Sequence, residues 1–389
     1  MRVDRLVLED FRNYERAEVE LDPHLNVVVG PNAQGKTNLL EAVYCLAGMG
    51  SPRGPETALV RDGAERALIH ADITRGPRTV RVDMELRPGR GLRALLNRTP
   101  IAGTRALREL SAAVFFGPDE LSLIKGSPDG RRRFLDDLVV KLRPGREPIR
   151  REWDRVQKQR NALLKTAPRG GAAGRSARAT LEVWDEAFCR AGAHLAEARL
   201  EALGMLLPFA RKRYEGIAGR GRMTLAYASG WLDPTLSDDA LSYPGSIDGA
   251  ALRTALESAL EEVRDKELER GVSLIGPQRD DVTVRLASTS GDGPMLDART
   301  FASQGDQRTA ALALKLAEHD LLTEMLDDEP ILLLDDVFSE LDAARRSYLL
   351  EAVGEKAQTI VSSAEPGVAD LVAGRILDVS AGRVVVRGT

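Results

Sequence analysis

Gly30-Pro31-Asn32-Ala33-Gln34-Gly35-Lys36-Thr37 decides the fold of this chain. The stretch fits G-x-x-x-x-G-K-[ST]. His24–Val29 before it reads as a buried strand, and Asn38–Val43 after it as the start of a helix. A strand, a glycine-rich turn and a helix N-terminus together make a phosphate cradle. Backbone N–H groups around Gly35 can point at an anion, and the helix dipole favours negative charge there. Lys36 can reach the β/γ oxygens of a nucleotide, and the Thr37 hydroxyl can hold Mg²⁺. The expected ligand is a nucleotide with Mg²⁺. The expected contact set is Gly30, Pro31, Asn32, Ala33, Gln34, Gly35, Lys36, Thr37 and Asn38.

Composition frames this motif without naming a function. With 389 residues, 43% hydrophobic and 29% charged, the chain has the length of one large domain or two ordinary ones. No run of roughly 18 apolar residues suggests a membrane span. Met1–Leu8 alternates polar and apolar residues, as a first strand does and a signal peptide does not. Cys45 and Cys189 lie in helix-like apolar patterns, which fits a reducing cytosol. His24, His70, His194 and His319 lack metal-ligand spacing. A formal charge of −4 is not that of a basic nucleic-acid binder. Yet between Arg131 and Gly170 there are thirteen Lys/Arg against five Asp/Glu. Arg131, Arg132 and Arg133 near a helix start oppose the helix dipole, which marks them as candidate DNA-phosphate contacts. Ordinary surface arginines paired with Asp129, Asp136 and Asp137 are the alternative.

The hydrophobic rhythm divides the chain. Val3–Leu8, Ala17–Leu21, Leu25–Val29, Leu68–Ile73 and Thr79–Leu86 read as strands, with a helix from the loop to about Leu46. From about Ser127 to Arg270 the period becomes helical, with segments Arg132–Leu142, Pro148–Leu164, Ala177–Tyr214 and Ala251–Arg270. Thr166–Arg175 is rich in Gly, Ala and Pro and reads as a flexible loop. After Gly271 the β/α alternation returns: strands at Val282–Leu286, Ile331–Leu334 and Thr359–Val361, helices at Asp306–Leu326 and Ala343–Val353, and a closing hairpin, Arg375–Val379 with Arg383–Val386. The expectation is an α/β protein. Residues 1–125 and 271–389 form one lobe, and a helical insertion, 126–270, forms the other. Heptads long enough for an extended coiled coil are absent.

The second half of an ATPase site follows the strand Ile331–Leu334. Asp335 and Asp336 stand at its C-terminal edge, where ligands bind in open parallel sheets. Asp335 is expected to hold Mg²⁺, and Asp336 to orient or deprotonate water. Phe301-Ala302-Ser303-Gln304-Gly305-Asp306-Gln307-Arg308 resembles the signature segment of ABC-type ATPases, S-G-G-x-Q, with Ser303, Gly305 and Gln307 at matching places and Gln304 in place of the first glycine. Val337–Asp342 resembles the D-loop, S-x-L-D.

On these residues the chain resembles the RecF family of the ABC ATPase superfamily. Further cues are Leu8–Tyr14, Asn38–Ala42, Leu123–Pro128 with Arg131–Asp136, and Gly276-Pro277-Gln278-Arg279-Asp280-Asp281. The resemblance implies a Rad50-like head with a mixed-sheet lobe I, a mainly helical lobe II and no long coiled coil. It implies an ATP-dependent homodimer with nucleotide held between the loop of one subunit and the signature of the other. It implies binding to DNA, particularly gaps and junctions, and slow DNA-stimulated ATP hydrolysis. RecO and RecR would be its partners in loading the RecA recombinase in DNA repair, within the cytoplasm and at the nucleoid. Arg12 would touch the nucleotide phosphates, with Asn13 beside it.

The chain departs from the common ABC pattern in three places. No switch histidine follows Thr359–Val361, where Ser362-Ser363-Ala364-Glu365 stands and a serine hydroxyl would sense γ-phosphate. The second carboxylate is Asp336, one methylene shorter than the usual Glu. No Q-loop glutamine stands out, and Phe116–Asp119 is a candidate for that junction. Two other readings are an SMC/Rad50-like clamp with negligible turnover and a transport-type ABC subunit. The 267-residue separation of Lys36 and Ser303 weighs against the second.

Overall fold

The computed structural model describes the chain except residues 167–170, 220, 236–247, 288–292, 339–340, 354–356, 366–373 and 388–389. The described residues form two compact units, 1–120 with 318–389, and 121–317.

The first unit begins with β1 (Arg2–Phe11), β2 (Tyr14–Glu20), β3 (Leu25–Val29) and α1 (Lys36–Leu46). β4 (Ala67–Arg75), β5 (Arg78–Arg87), β6 (Gly91–Leu96), β7 (Thr99–Ile101), α2 (Arg105–Leu110) and β8 (Ala113–Phe116) follow. The second unit carries α3 (Ser122–Lys125), α4 (Pro128–Leu142), α5 (Glu147–Thr166), α6 (Gly171–Ala218) and β9 (Arg222–Ala228). A helix at Gly249–Arg270, β10 (Asp281–Ala287), β11 (Leu296–Asp297) and the helix Ala298–Phe301 complete it, and the helix Gln304–Leu326 leads out of it. The chain then returns to the first unit with β12 (Ile331–Asp335), the helix Ala343–Val353, β13 (Thr359–Ser363), β14 (Arg375–Ser380) and β15 (Arg383–Val386).

Two sheets build the first unit. One is antiparallel, in the order β2-β1-β4-β5-β6-β7. The other runs β15-β14-β3-β13-β12-β8 and is parallel apart from the β14–β15 hairpin. The sequence separates them. Strands that alternate, such as Val80–Leu86, are antiparallel with one solvated face. The continuous runs Val27-Val28-Val29 and Leu332-Leu333-Leu334 are parallel and buried on both sides. One core cluster joins Leu6, Leu8 and Phe11 of β1, Leu39, Leu40, Val43 and Leu46 of α1, and Leu333 and Ile360 of the parallel strands. α1 is thus apolar nearly all round because it is enclosed nearly all round.

Three differences from the sequence reading have physical causes. Residues 271–317 belong to the second unit, so the boundary expected at 270 moves to 317. β10 pairs with β9 along its whole length, from Asp281↔Ala228 to Ala287↔Arg222, and this ties 281–287 to the inserted region. The second unit therefore holds a small sheet, β11-β10-β9, beside its helices. Much of the stretch Thr166–Arg175 is helical, since α5 reaches Thr166 and α6 starts at Gly171; residues 167–170 lie outside the described residues. Alanine is the best helix former, and a glycine costs only about 1 kcal/mol against it. β6 and β7 were not expected. Their turn is Asn97-Arg98, both at positive φ (48° and 69°), without the glycine that usually marks such a hairpin.

Part of the basic excess of residues 131–170 is neutralised by acids distant in sequence. Arg143 and Arg146 both reach Glu201. Arg160 is completely buried, donating to Asp185 (2.7 Å), Glu267 (2.6 Å) and Ser273 Oγ (2.7 Å), with its guanidinium 4.7 Å from the Phe188 ring centroid. It ties α5, α6 and the Gly249–Arg270 helix together.

Candidate nucleotide-binding site

The loop Gly30–Gly35 leaves β3 and enters α1 at Lys36. Gly35 has φ +119°, and a Cβ there would stand 2.7 Å from Asn13 Nδ2 and 2.9 Å from the Tyr14 hydroxyl. A Cβ on Gly30 would stand 2.1 Å from the Val379 carbonyl oxygen of β14. Both glycines are therefore required by close packing of the loop against β1–β2 and the closing hairpin. That hairpin also grips the loop directly: Ala381 N–H donates to Gln34 Oε1 (2.7 Å) and Gly382 N–H to Gln34 O (3.3 Å). Asn13 Nδ2 donates to Gln34 O (2.8 Å), and Asn38 Nδ2 to Asn13 Oδ1 (2.8 Å).

No side chain caps the N-terminus of α1, so its first N–H groups remain available to an anion. Lys36 is buried. Its Nζ donates to the carbonyls of Gly30 (2.7 Å) and Pro31 (3.0 Å) and to Asn32 Oδ1 (3.4 Å). Burial lowers the ammonium pKa below its ordinary value, against the opposing pull of Asp336 and Asp335. A phosphate entering the loop would supply the missing negative charge.

Asp335 closes the site. Its Oδ1 accepts from Thr37 Oγ1 (2.8 Å), bringing together residues 298 positions apart, and from the fully buried Ser362 Oγ (2.6 Å). Thr37 and Asp335 are a hydroxyl and a carboxylate, hard oxygen donors of the kind Mg²⁺ takes. Asp336 follows with φ +51°, unusual for a residue other than glycine, its N–H donating to Ser362 O (3.2 Å) and Oγ (3.0 Å). This kink turns the chain sharply just beyond Asp335. Gly117 of the Phe116–Asp119 segment abuts Asp335, with its Cβ position 3.6 Å from the Asp335 Cβ.

Several expected roles change. Ser362 holds Asp335 and Asp336 in place, so its hydroxyl is not poised as a γ-phosphate sensor. Arg12 places Nε and Nη2 on the two oxygens of Glu41, each at 2.8 Å, rather than standing open to a phosphate. Glu41, fully buried one turn into α1, also accepts from Arg53 (2.9 Å) and Ser51 (2.5 Å). Burial raises its pKa, but the hydrogen bonds from Arg12, Ser51 and Arg53 outweigh that and hold the carboxyl below its ordinary value. Sequence reading missed this cluster. A glutamate on the buried face of a core helix was the available signal.

The signature-like segment lies in the second unit. Ser303 is exposed and caps its helix, accepting from Asp306 N–H (3.2 Å) and donating to Asp306 Oδ2 (2.7 Å). Gly305 follows in the first turn. Gln307 is buried and turned inward, donating to the carbonyls of Ala298 (2.9 Å) and Arg299 (3.3 Å). Its amide nitrogen anchors the segment, while its Oε1 is buried without a hydrogen-bond partner among the described residues. Ser339 and Glu340 of the D-loop-like stretch lie outside the described residues.

The arginine triplet is mostly not a free surface. Arg131 is buried and bidentate on Asp281 (2.7 and 2.8 Å). Arg132 pairs with Asp129 and donates to the Asp280 carbonyl (2.5 Å). Arg133 alone of the three is exposed.

Comparison with known proteins now bears on this geometry. The family described as RecF/RecN/SMC N terminal domain matches residues 2–381. A DNA replication and repair protein RecF of Streptomyces avermitilis is 44% identical over 392 residues, 99% of each chain. The chain belongs to the RecF family. Its RecF counterpart in Kineococcus radiotolerans is 41% identical over 376 residues, 94% of this chain and 93% of that one. Among solved structures, the recombination mediator protein RecF-ATPrS of the RecFOR pathway aligns with TM-score 0.86 at 25% identity, covering 100% of this chain and 98% of that chain. The corresponding RecF-ATP structure gives 0.85, covering 99% and 97%. An Smc head bound to the C-winged helix domain of ScpA aligns at 0.56 with 15% identity, which shows the shared fold. RecF membership thus accounts for an SMC-head-like ABC ATPase fold and a role in DNA replication and repair. Among the described residues, no helix is long and apolar enough to cross a membrane.

Proposed function

We propose that this chain is an ATP-gated DNA-binding protein of recombinational repair, which dimerises on ATP and resets by slow hydrolysis. One observation supports it above others: Thr37 of the phosphate loop and Asp335 of β12 meet at 2.8 Å, forming a hydroxyl–carboxylate pair beside the uncapped N-terminus of α1. The N–H groups of that terminus and Lys36 would bind and orient the phosphates. Thr37 and Asp335 would hold Mg²⁺, which supplies charge neutralisation at the β/γ oxygens. Asp336 would orient the attacking water. Ser303, exposed at its helix N-terminus, would meet the nucleotide of a second copy. Two solved RecF structures similar to this chain are named for ATP and for ATPrS, which supports a nucleotide as the ligand.

DNA, with gaps and junctions preferred, would be the substrate surface and the stimulus for turnover. RecO and RecR would be partners in loading the recombinase, in the cytoplasm and at the nucleoid.

Light scattering on the size-exclusion peak, with ATP·Mg²⁺ against ADP, tests the gate. Mass should double only with ATP, and the dimer should persist longer in Asp336→Asn. Ser303→Arg should bind ATP and stay monomeric. A Ser303→Arg protein that dimerises normally with ATP would remove the trans-signature role.

A further inference from the structure

The Gly276–Asp281 turn lies in the second unit, and most of its polar groups are held by hydrogen bonds. Gly276 has φ +111°, and a Cβ there would lie 2.8 Å from Gln278 Oε1 and 2.9 Å from the Phe188 ring. Arg279 N–H donates to Gly276 O (2.8 Å) and closes the turn. The Pro277 carbonyl accepts from Arg199 (2.7 Å), itself buried and bidentate on Asp136 (2.7 and 3.0 Å). The fully buried Asp280 carboxyl accepts from the Tyr227 hydroxyl (2.7 Å) and Trp231 Nε1 (3.0 Å), and the Asp280 carbonyl accepts from Arg132 (2.5 Å). Asp281 receives Arg131.

This bracing is an expensive way to fix a turn. Burial raises the Asp280 carboxyl to about 6, even with Tyr227, Ser229, Arg199 and Trp231 favouring its charged form. Buried ionic groups of this kind are often replaced by apolar ones without loss of stability, so they do not explain themselves as stabilisers. They do fix one geometry.

What that geometry presents is Arg279, the only exposed residue between Gly271 and Asp280. Among the described residues its guanidinium makes a single long hydrogen bond, 3.4 Å to the Ser273 carbonyl, and no ion pair. Arg132, paired with Asp129, donates to the next carbonyl of the turn and so helps to brace it. A protein partner would want an apolar anchor beside these charges. The exposed large hydrophobics among the described residues are Val183, Leu296, Phe301, Met325 and Val385, none on the turn or on α4.

We propose that the Gly276–Asp281 turn is a rigid mount that presents Arg279 to a phosphate of the nucleic-acid backbone. This rests on the DNA-binding reading above and relocates its contact from Arg131 to Arg279. A guanidinium on a fixed backbone suits a bidentate phosphate contact.

The test is fluorescence anisotropy with a labelled duplex bearing a single-stranded extension, in ATP·Mg²⁺, across a NaCl series. Wild type, Arg279→Ala, Arg279→Lys and Arg93→Ala are compared, Arg93 being an exposed arginine of β6 in the other unit. Arg279→Ala should weaken binding about 3- to 10-fold and lower the salt slope by roughly one. Arg279→Lys should keep the slope. Arg93→Ala should match wild type, and thermal midpoints and ATP-dependent mass should not change. An unchanged slope in Arg279→Ala, or an equal loss in Arg93→Ala, overturns the proposal. So does a loss of ATP-dependent mass in Arg279→Ala without DNA, which would make the turn a protein contact. A wild type that does not bind DNA would sink the DNA-binding reading itself, an outcome visible before any variant is compared.

Discussion

Glu41→Gln keeps the shape of a buried side chain and removes its charge, and its effect can be worked from the contacts. Glu41 is inaccessible to solvent and receives two hydrogen bonds from Arg12, one from Arg53 and one from Ser51. Breaking a buried ion pair by removing one partner destabilises by about 3–5 kcal/mol. Here the two arginine side chains are 20% and 33% exposed, so water reaches them once the carboxylate is gone. That partial rehydration brings the expected loss down to about 2–3 kcal/mol, or roughly 2–4 °C in thermal midpoint for a chain of this size. Circular dichroism through urea and thermal melts of the nucleotide-free protein reads it. The pH dependence gives a second signature. The folded pKa of Glu41 lies below its unfolded value, so its contribution is complete above about pH 4.5 and is lost as pH falls through the folded pKa. The gap between wild type and Glu41→Gln should therefore be constant near neutrality and close in acid. A variant within about 0.5 kcal/mol of wild type at pH 7, inside the range of ordinary surface changes, would refute the view that this carboxylate holds the entrance of α1.

Lys36→Ala should weaken ATP binding at least about tenfold by calorimetry while leaving the melting midpoint close to wild type, since it deletes a cation whose own environment disfavours its charge. Gly30→Ala forces its Cβ against the Val379 carbonyl and should destabilise by about 1–3 kcal/mol, with ATP affinity falling as the loop shifts; an unchanged melt and affinity would mean the closing hairpin does not seat the loop. Gln307→Leu removes the donor that fixes Ala298 and Arg299, and should lower ATP-dependent dimerisation in light scattering without altering ATP affinity of the monomer. If it lowers ATP affinity instead, Gln307 touches nucleotide and its anchoring role is wrong.

Much of the first unit can be read from the chain because its signals are local. The alternation of β4 and β5 and the unbroken apolar runs of β3 and β12 each follow from how many faces a strand buries. Gly30–Thr37 reads as a phosphate loop because its strand, its turn and its helix are contiguous. β6 and β7 were not legible, because Asn97 and Arg98 adopt positive φ without a glycine.

What the sequence determined alone is the set of groups: a phosphate loop, two carboxylates after a buried strand, and a serine at a helix start. Tertiary structure decided which of them face a ligand. Local charge counting favoured Arg131, but Asp281, 150 residues away, consumes it. A serine hydroxyl after β13 and Gln307 read as candidate ligand contacts, yet Ser362 Oγ donates to Asp335 and Gln307 Nε2 to a neighbouring backbone. A side chain's type is fixed by the sequence, but its free hydrogen-bonding capacity is set by whichever partners folding brings within about 3 Å. Those partners come from distant parts of the chain, where neither spacing nor periodicity carries a signal.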